Sequence, residues 1–207
     1  MLVHTYENIK VEMKNNVCVV TLNRPELRNA LGQEMREELR SFFTSIKDND
    51  EVKVIILTGE GKAFSAGGDL SALKTVDTES GRKRLQAGHE MIHSILELEK
   101  PVIAAVNGIA AGAGSSLALA CDLIVATHST IFIQNFIKVG LILAGGKISA
   151  DQAEKMGVIY RIVPDDLLLE EALSLAATLA EGSAIAMGIT KKLTNRSVMQ
   201  KLVKNLS

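Results

Sequence analysis

Two segments of this chain constrain its fold more than any others: Ala63-Phe64-Ser65-Ala66-Gly67-Gly68-Asp69-Leu70 and Asn107-Gly108-Ile109-Ala110-Ala111-Gly112-Ala113-Gly114-Ser115-Ser116-Leu117-Ala118. Each is a turn of small residues that follows an apolar run of strand character and leads into a run of helical character. Bulky side chains are missing from both turns. One backbone can therefore come against another, and main-chain N–H groups stay uncovered at the start of a helix. Two such sets of amides aimed at one point would hold a negatively charged oxygen, an oxyanion hole built from main chain. The same glycines also serve close packing of helix on strand, and at either turn alone both uses are open. Two turns of matching character, each behind its own strand, favour the shared anion site.

The rest of the chain repeats the order strand, turn, helix. Ile9–Met13 and Val17–Leu22 alternate around the turn signal Lys14-Asn15-Asn16 and read as a hairpin. Asn23-Arg24-Pro25-Glu26 breaks the strand, and Gln33–Ile46 carries Met35, Leu39, Phe42, Phe43 and Ile46 at helical spacing. Val52–Leu57 is an apolar strand into the first turn. Gly81–Leu98 is a long amphipathic helix stopped by Pro101, and Val102–Val106 is the strand into the second turn. Gly114–Ala120 reads as a buried helix and Leu123–Ala126 as another strand. This alternation predicts a layered α/β domain with mostly parallel pairing. With 207 residues, 47% of them hydrophobic, the chain can bury a full core.

Charge and cysteine usage narrow the partners. Lys and Arg total 23 against 24 Asp and Glu, scattered along the chain, so no basic face for nucleic acid or an acidic membrane emerges. No run of about eighteen apolar residues occurs, and the first residues lack a basic segment followed by an apolar one, so the expected location is cytoplasmic. Cys18 and Cys121 lack metal-ligand spacing and read as buried thiols of a reducing compartment.

Several motifs in order carry a resemblance to a known family. Asn23-Arg24-Pro25-Glu26-Leu27-Arg28-Asn29-Ala30-Leu31, Phe64–Leu70, Lys100-Pro101-Val102-Ile103-Ala104-Ala105-Val106-Asn107-Gly108, Cys121-Asp122-Leu123 and Ile148–Val158 resemble the crotonase (enoyl-CoA hydratase/isomerase) superfamily. The resemblance implies an α/β fold, the crotonase-like ββα spiral. Its core would lie at 1–140, and 141–207 would be a helical segment leading to an incomplete C-terminal trimerisation region. It also implies an acyl-CoA thioester as ligand and a homotrimer or hexamer as the assembly. Coenzyme A would come as part of the substrate, with no separate cofactor and no metal. By position the oxyanion donors are the N–H groups of Gly68 and Ala113. Lys62, Ala66, Gly67, Gly68, Asp69, Leu70, Ser116 and Phe136 fall at the substrate-binding positions, and Asp69 also reads as a helix N-cap.

Departures from the family pattern decide the expected chemistry. Relatives that hydrate a double bond place two glutamates where this chain has Ser116 and Phe136, and neither a hydroxyl nor a phenyl ring does that proton transfer. The run Phe132–Gly140 is similar to the branch that includes the ring-epoxyphenylacetyl-CoA isomerases, in which a single aspartate moves the proton. That aspartate is absent here. After Lys138-Val139-Gly140 the chain passes directly to Leu141–Ser149, which reads as the end of the family's next helix. Either a helix and its turns are deleted between Gly140 and Leu143, or they belong to a segment outside this sequence. The apolar surface that an excision would strand favours the second.

His89 and His93 are spaced to share one helix face, as a metal pair, a base, or solvated helix residues. No further ligand is suggested by spacing. His89 matches the water-activating histidine of the chlorobenzoyl-CoA dehalogenase branch. Asp122 reads as a backbone anchor. The expected activity is enoyl-CoA isomerisation through a thioester enolate. The alternatives are hydration, hydrolysis or dehalogenation with His89, and a non-catalytic CoA-binding scaffold.

Overall fold

The computed structural model describes residues 5–69, 77–134 and 146–204. Among the described residues, ten strands and six helices follow one another in the expected alternation. They are β1 (Ile9–Lys14), β2 (Val17–Leu22), α1 (Gln33–Ser45), β3 (Val54–Gly59), β4 (Ala63–Ser65), α2 (Thr78–Leu96), β5 (Val102–Val106), β6 (Ile109–Ala111), α3 (Ala113–Leu119), β7 (Leu123–Thr127), β8 (Ile131–Gln134), β9 (Gly146–Ser149), α4 (Ala150–Lys155), β10 (Arg161–Val163), α5 (Leu168–Ala180) and α6 (Ala184–Lys204). A six-stranded sheet runs in the order β1-β2-β3-β5-β7-β10, and a four-stranded sheet in the order β4-β6-β8-β9. Among the described residues only β1–β2 and β8–β9 pair antiparallel. Each of β3, β5 and β7 therefore lies in the large sheet and hands the chain to a short partner strand in the small one. This is the strand-strand-helix spiral expected from the motifs.

The large sheet is apolar on both faces, as parallel sheets covered on both sides are. Cys18, Val20, Leu22, Ile55, Leu57, Val102, Ala104, Val106, Ile124 and Ala126 face the core that holds α1 and α3. Their alternate neighbours Val17, Val19, Val54, Ile56, Ile103, Ala105 and Val125 meet Leu168, Ala172 and Ala176 of α5. The alanines let helix and sheet approach closely. A capping box of Asp77 and Ser80 starts α2, three residues before the expected Gly81, because the polar first turn carries no apolar periodicity to read.

Two features depart from expectation. Residues 63–65 and 109–111 are strands inside the small-residue turns, and their parallel pairing forms the heart of the second sheet. Residues 146–149, read as the end of a helix, are β9, which pairs with β8 from Ile131↔Ser149 to Gln134↔Gly146. Residues 135–145, which join these two strands in sequence and include the Gly140–Leu143 junction, lie outside the described residues. Direct pairing of β9 covers the edge that a deletion would have left bare. Residues 146–204 supply α4, α5 and α6, and also β9 and β10, each of which finishes one sheet. Among the described residues no single helix is long and apolar enough to cross a membrane.

Both cysteines are buried and unpaired. Burial pushes the Cys18 thiol from an ordinary value of 9.0 up to about 12. The folded chain thus keeps this proton where the unfolded chain loses it. Stability is unaffected by Cys18 below about pH 9 and falls as the pH rises from there toward 12. Urea denaturation across that range is expected to give a declining midpoint for the parent and a flatter one for Cys18→Ala.

Candidate functional site

The two small-residue turns lock into each other through glycines. Gly67 has φ +92°, and a Cβ built on it would stand 2.4 Å from the Ala111 carbonyl oxygen and 3.4 Å from the Ala113 nitrogen. In the other direction, a Cβ on Gly114 would stand 2.7 Å from the Ser65 Cβ and 2.8 Å from its Oγ. Any side chain at either place drives the turns apart. Ser65, fully buried, ties the first turn to itself: its Oγ donates to the Asn29 carbonyl at 2.7 Å and accepts from the Gly67 amide at 3.2 Å.

Two buried or half-buried asparagines hold the turns from behind. Asn29, in the left-handed region at φ 55°, donates from Nδ2 to the carbonyls of Glu60 and Ala63 and accepts from the Arg24 amide. Asn107 donates to the carbonyls of Gly59 and Gly61 and accepts from the Gly59 amide at 3.2 Å. Both side chains bond carbonyls at and between the end of β3 and the start of β4, contacts that an aliphatic residue would not make. Sequence reasoning noted both residues only as parts of motifs. Their signal was present, since Asn at a break between strand and turn is the residue that caps loose backbone.

Each turn has an accessible residue whose amide has no acceptor among the described residues. Gly68 forms a parallel bridge with Leu31, in which the Gly67 carbonyl accepts from Leu31 at 2.7 Å and the Asp69 amide approaches the Leu31 carbonyl at 3.5 Å. The amide of Gly68 itself points to the opposite side, as alternation along a strand requires. Ala113 is the first residue of α3, which has no side-chain cap, and the positive end of the helix lies there. Among the described residues nothing accepts from the amide of Gly68 or Ala113. Both residues are partly accessible, while Gly67 and Gly114 beside them are buried.

The other sequence-derived candidates divide. Lys62 and Ala66 are exposed at the edge of the first turn, with the Ala66 amide on the Arg28 carbonyl. Ser116 lies one turn into α3 and bends its hydroxyl back to the Gly112 carbonyl at 3.4 Å. Asp69 pairs with Arg24 at 3.4 Å. Asp77 is the residue that caps α2. Leu70 and Phe136 lie outside the described residues. His89 is not brought to the turns. It lines a groove of about 400 Å³ between α1 and α2 with Arg40, Phe43, Glu90 and His93, its ring 5.7 Å from that of His93. Among the described residues no cluster could hold a metal ion. Asp122 anchors backbone as expected, accepting from the Val102 amide at 2.8 Å and from Lys191 at 2.8 Å.

Comparison with known proteins gives the chain's relatives. A family model described as "Enoyl-CoA hydratase/isomerase" matches residues 12–147 and 141–207. A 1,2-epoxyphenylacetyl-CoA isomerase of Escherichia coli is 33% identical over 216 residues, covering 91% of this chain and 82% of the relative. A short-chain-enoyl-CoA hydratase of Clostridium acetobutylicum is 32% identical over 214 residues, covering 92% and 82%. The crystal structure of an enoyl-CoA hydratase from Bacillus anthracis superposes with a TM-score of 0.87 at 31% identity, covering 97% of this chain and 87% of that one. Both sequence alignments are longer than the 207-residue chain, so each steps over residues that the relative has and this chain lacks. The family model matches in two pieces that overlap at residues 141–147, after the end of β8 and into the beginning of β9.

Gly67→Ala is expected to lower stability by about 3 kcal/mol or more, because strained φ and a backbone clash act together. Gly157, at φ +73° with nothing within 4 Å of a built Cβ, separates the two effects. Gly157→Ala is expected to cost about 1–2 kcal/mol, the strain alone. Equal losses in urea denaturation would mean that the turns are not interlocked.

Proposed function

Because the chain belongs to the enoyl-CoA hydratase/isomerase family, we propose that it binds an acyl-CoA thioester with the carbonyl oxygen between the amides of Gly68 and Ala113. There it holds the enolate that forms on that oxygen and shifts a double bond along the acyl chain. The observation that carries this reading is the pair of unshared amides, one in each interlocked turn, at the accessible edge of an otherwise buried contact. In a β,γ-unsaturated thioester the α-carbon loses a proton and the electron pair moves onto the thioester oxygen. A proton returned at the γ-carbon leaves the α,β-unsaturated product. Coenzyme A enters as part of the substrate, and no other cofactor belongs to the reading.

The proton carrier sets the expected rate. The chain has no Asp or Glu between Asp122 and Asp151. No carboxylate therefore lies on β7 or β8 or between β8 and β9, and two-carboxylate hydration is not part of this proposal. Water admitted beside Gly68 and Ala113 carries the proton, and a missing placed acid or base lowers turnover by about 10²–10⁴ relative to a relative that has one. The same absence favours a second reading, an acyl-CoA-binding protein that turns nothing over. Hydrolysis through His89 draws no support from the groove in which that ring lies.

Absorbance of the conjugated enoyl thioester, followed with a panel of β,γ-enoyl-CoA substrates, tests the proposal. Slow conjugation is expected in the parent and in His89→Gln alike. Ala113→Pro deletes one amide at the first helical position, where proline is well accommodated, and is expected to lower the rate by about 10²–10³. Binding of acyl-CoA without any conjugation would select the second reading, and no binding would end both.

The proposal extends to assembly of this chain as a homotrimer or hexamer. Support comes from the outer face of α6, where Ile185, Ile189 and Leu193 are 76%, 52% and 62% exposed at successive turns. Sedimentation velocity is expected to give a trimer or larger for the parent and a monomer for Ile189→Glu. A monomeric parent at micromolar concentration would remove this extension.

A further inference from the structure

Beside the first turn, on the side where Gly68 lacks a side chain, two guanidinium groups lie together. A Cβ built on Gly68 would stand 3.3 Å from Arg84 Nη2 and 3.6 Å from Arg36 Nη2. Arg36 comes from α1, is only 6% exposed, and donates from Nη1 to the Arg84 carbonyl at 2.9 Å. Gly88 of α2 makes room for it, with a built Cβ 3.5 Å from the same Nη1. The Arg36 Nε is buried with no hydrogen-bond partner. Arg84 donates from Nη2 to the Asp69 carbonyl.

A buried arginine ordinarily meets a carboxylate, and this pair is short of one. The charged groups acting on Arg36 are Arg84, which repels it, and Asp69. The Asp69 carboxylate is already paired with Arg24 at 3.4 Å, and Arg84 reaches the Asp69 backbone carbonyl, so Arg36 shares its nearest acid with Arg24. Glu34 lies on the Arg24 side, near Gly32. No other acid is in reserve, because residues 1–4, 70–76, 135–145 and 205–207 contain no Asp or Glu. Burying Arg36 with a free donor beside a second guanidinium is unfavourable unless an anion completes it.

We propose that Arg36 and Arg84 form a subsite for a second carboxylate carried on the acyl group, so that the preferred ligand is the mono-CoA thioester of a dicarboxylic acid. The inference rests on the acyl-CoA reading, since Gly68 supplies one of the two amides of the carbonyl site. The pantetheine arm keeps the phosphates of coenzyme A far from the thioester carbonyl, which leaves the acyl chain as the source of an anion at this place. Arg36 presents Nη2 and Nε as a side-on fork of the kind that takes a carboxylate in two parallel hydrogen bonds.

Isothermal titration of the intact protein with butyryl-CoA, succinyl-CoA and glutaryl-CoA tests this. The parent is expected to bind one of the carboxylated thioesters about 10- to 100-fold more tightly than butyryl-CoA. In Arg36→Met the ratio is expected to fall to near one, and Arg36→Lys to restore part of it. Equal affinity for all three in the parent would overturn the subsite while leaving the acyl-CoA reading intact. A preference that survives in Arg36→Met would overturn it too. An equal loss for all three thioesters in Arg36→Met would assign the anion to a phosphate of coenzyme A, against the proposal. Binding of none of the three would bring down the acyl-CoA reading and the subsite with it.

Discussion

Contact between the backbones of two turns is the constraint on which the rest of this structure depends. Gly67 lies against the Ala111 carbonyl and Gly114 against Ser65, with no atom to spare in either direction. Close-packed interiors do not yield to an added methyl group without shifting backbone. Strands β4 and β6 pair because the turns meet, and the first amide of α3 stands beside the first turn for the same reason. A site made of main-chain donors gains from this arrangement. Its groups have no rotamers to lose, so they are in position before a ligand arrives.

Around that contact the chain is organised to keep polar backbone satisfied where strands end. Asn29 and Asn107 each bridge carbonyls left over by β3 and by the loop after it. The large sheet behind them is covered on both faces and gives the turns a rigid footing. The small sheet is less protected, and β9 serves it as a direct neighbour of β8.

Much of this was legible in the sequence, and the exceptions have physical causes. Apolar runs such as Val102–Val106 announce buried parallel strands, and small residues on both sides of a turn announce close backbone approach. Strands of three residues, like Ala63–Ser65 and Ile109–Ala111, are too short to show a period, and they exist only because each finds the other. Gly146-Lys147-Ile148-Ser149 carries one apolar residue and becomes a strand by pairing, not by propensity. Arg36 sits in a run rich in Glu and Arg that reads as a solvated helix face. Nothing local marks it as the buried member, because its burial is set by Gly88 and Arg84, far along the chain. The pattern of motifs fixed the candidate amides, Gly68 and Ala113, whereas the supporting asparagines and arginines needed the fold.

The anchoring of α6 has a mechanical consequence. One oxygen of Asp122 accepts both from the Val102 amide and from Lys191, whose ammonium also reaches the Lys100 carbonyl. The final helix is thereby linked in series with the entry to β5, and β5 delivers the second turn. A displacement of α6 therefore reaches the first residue of β5 and, along that strand, the turn that carries Ala113, so the helix and the distant amide are mechanically coupled through one carboxylate oxygen.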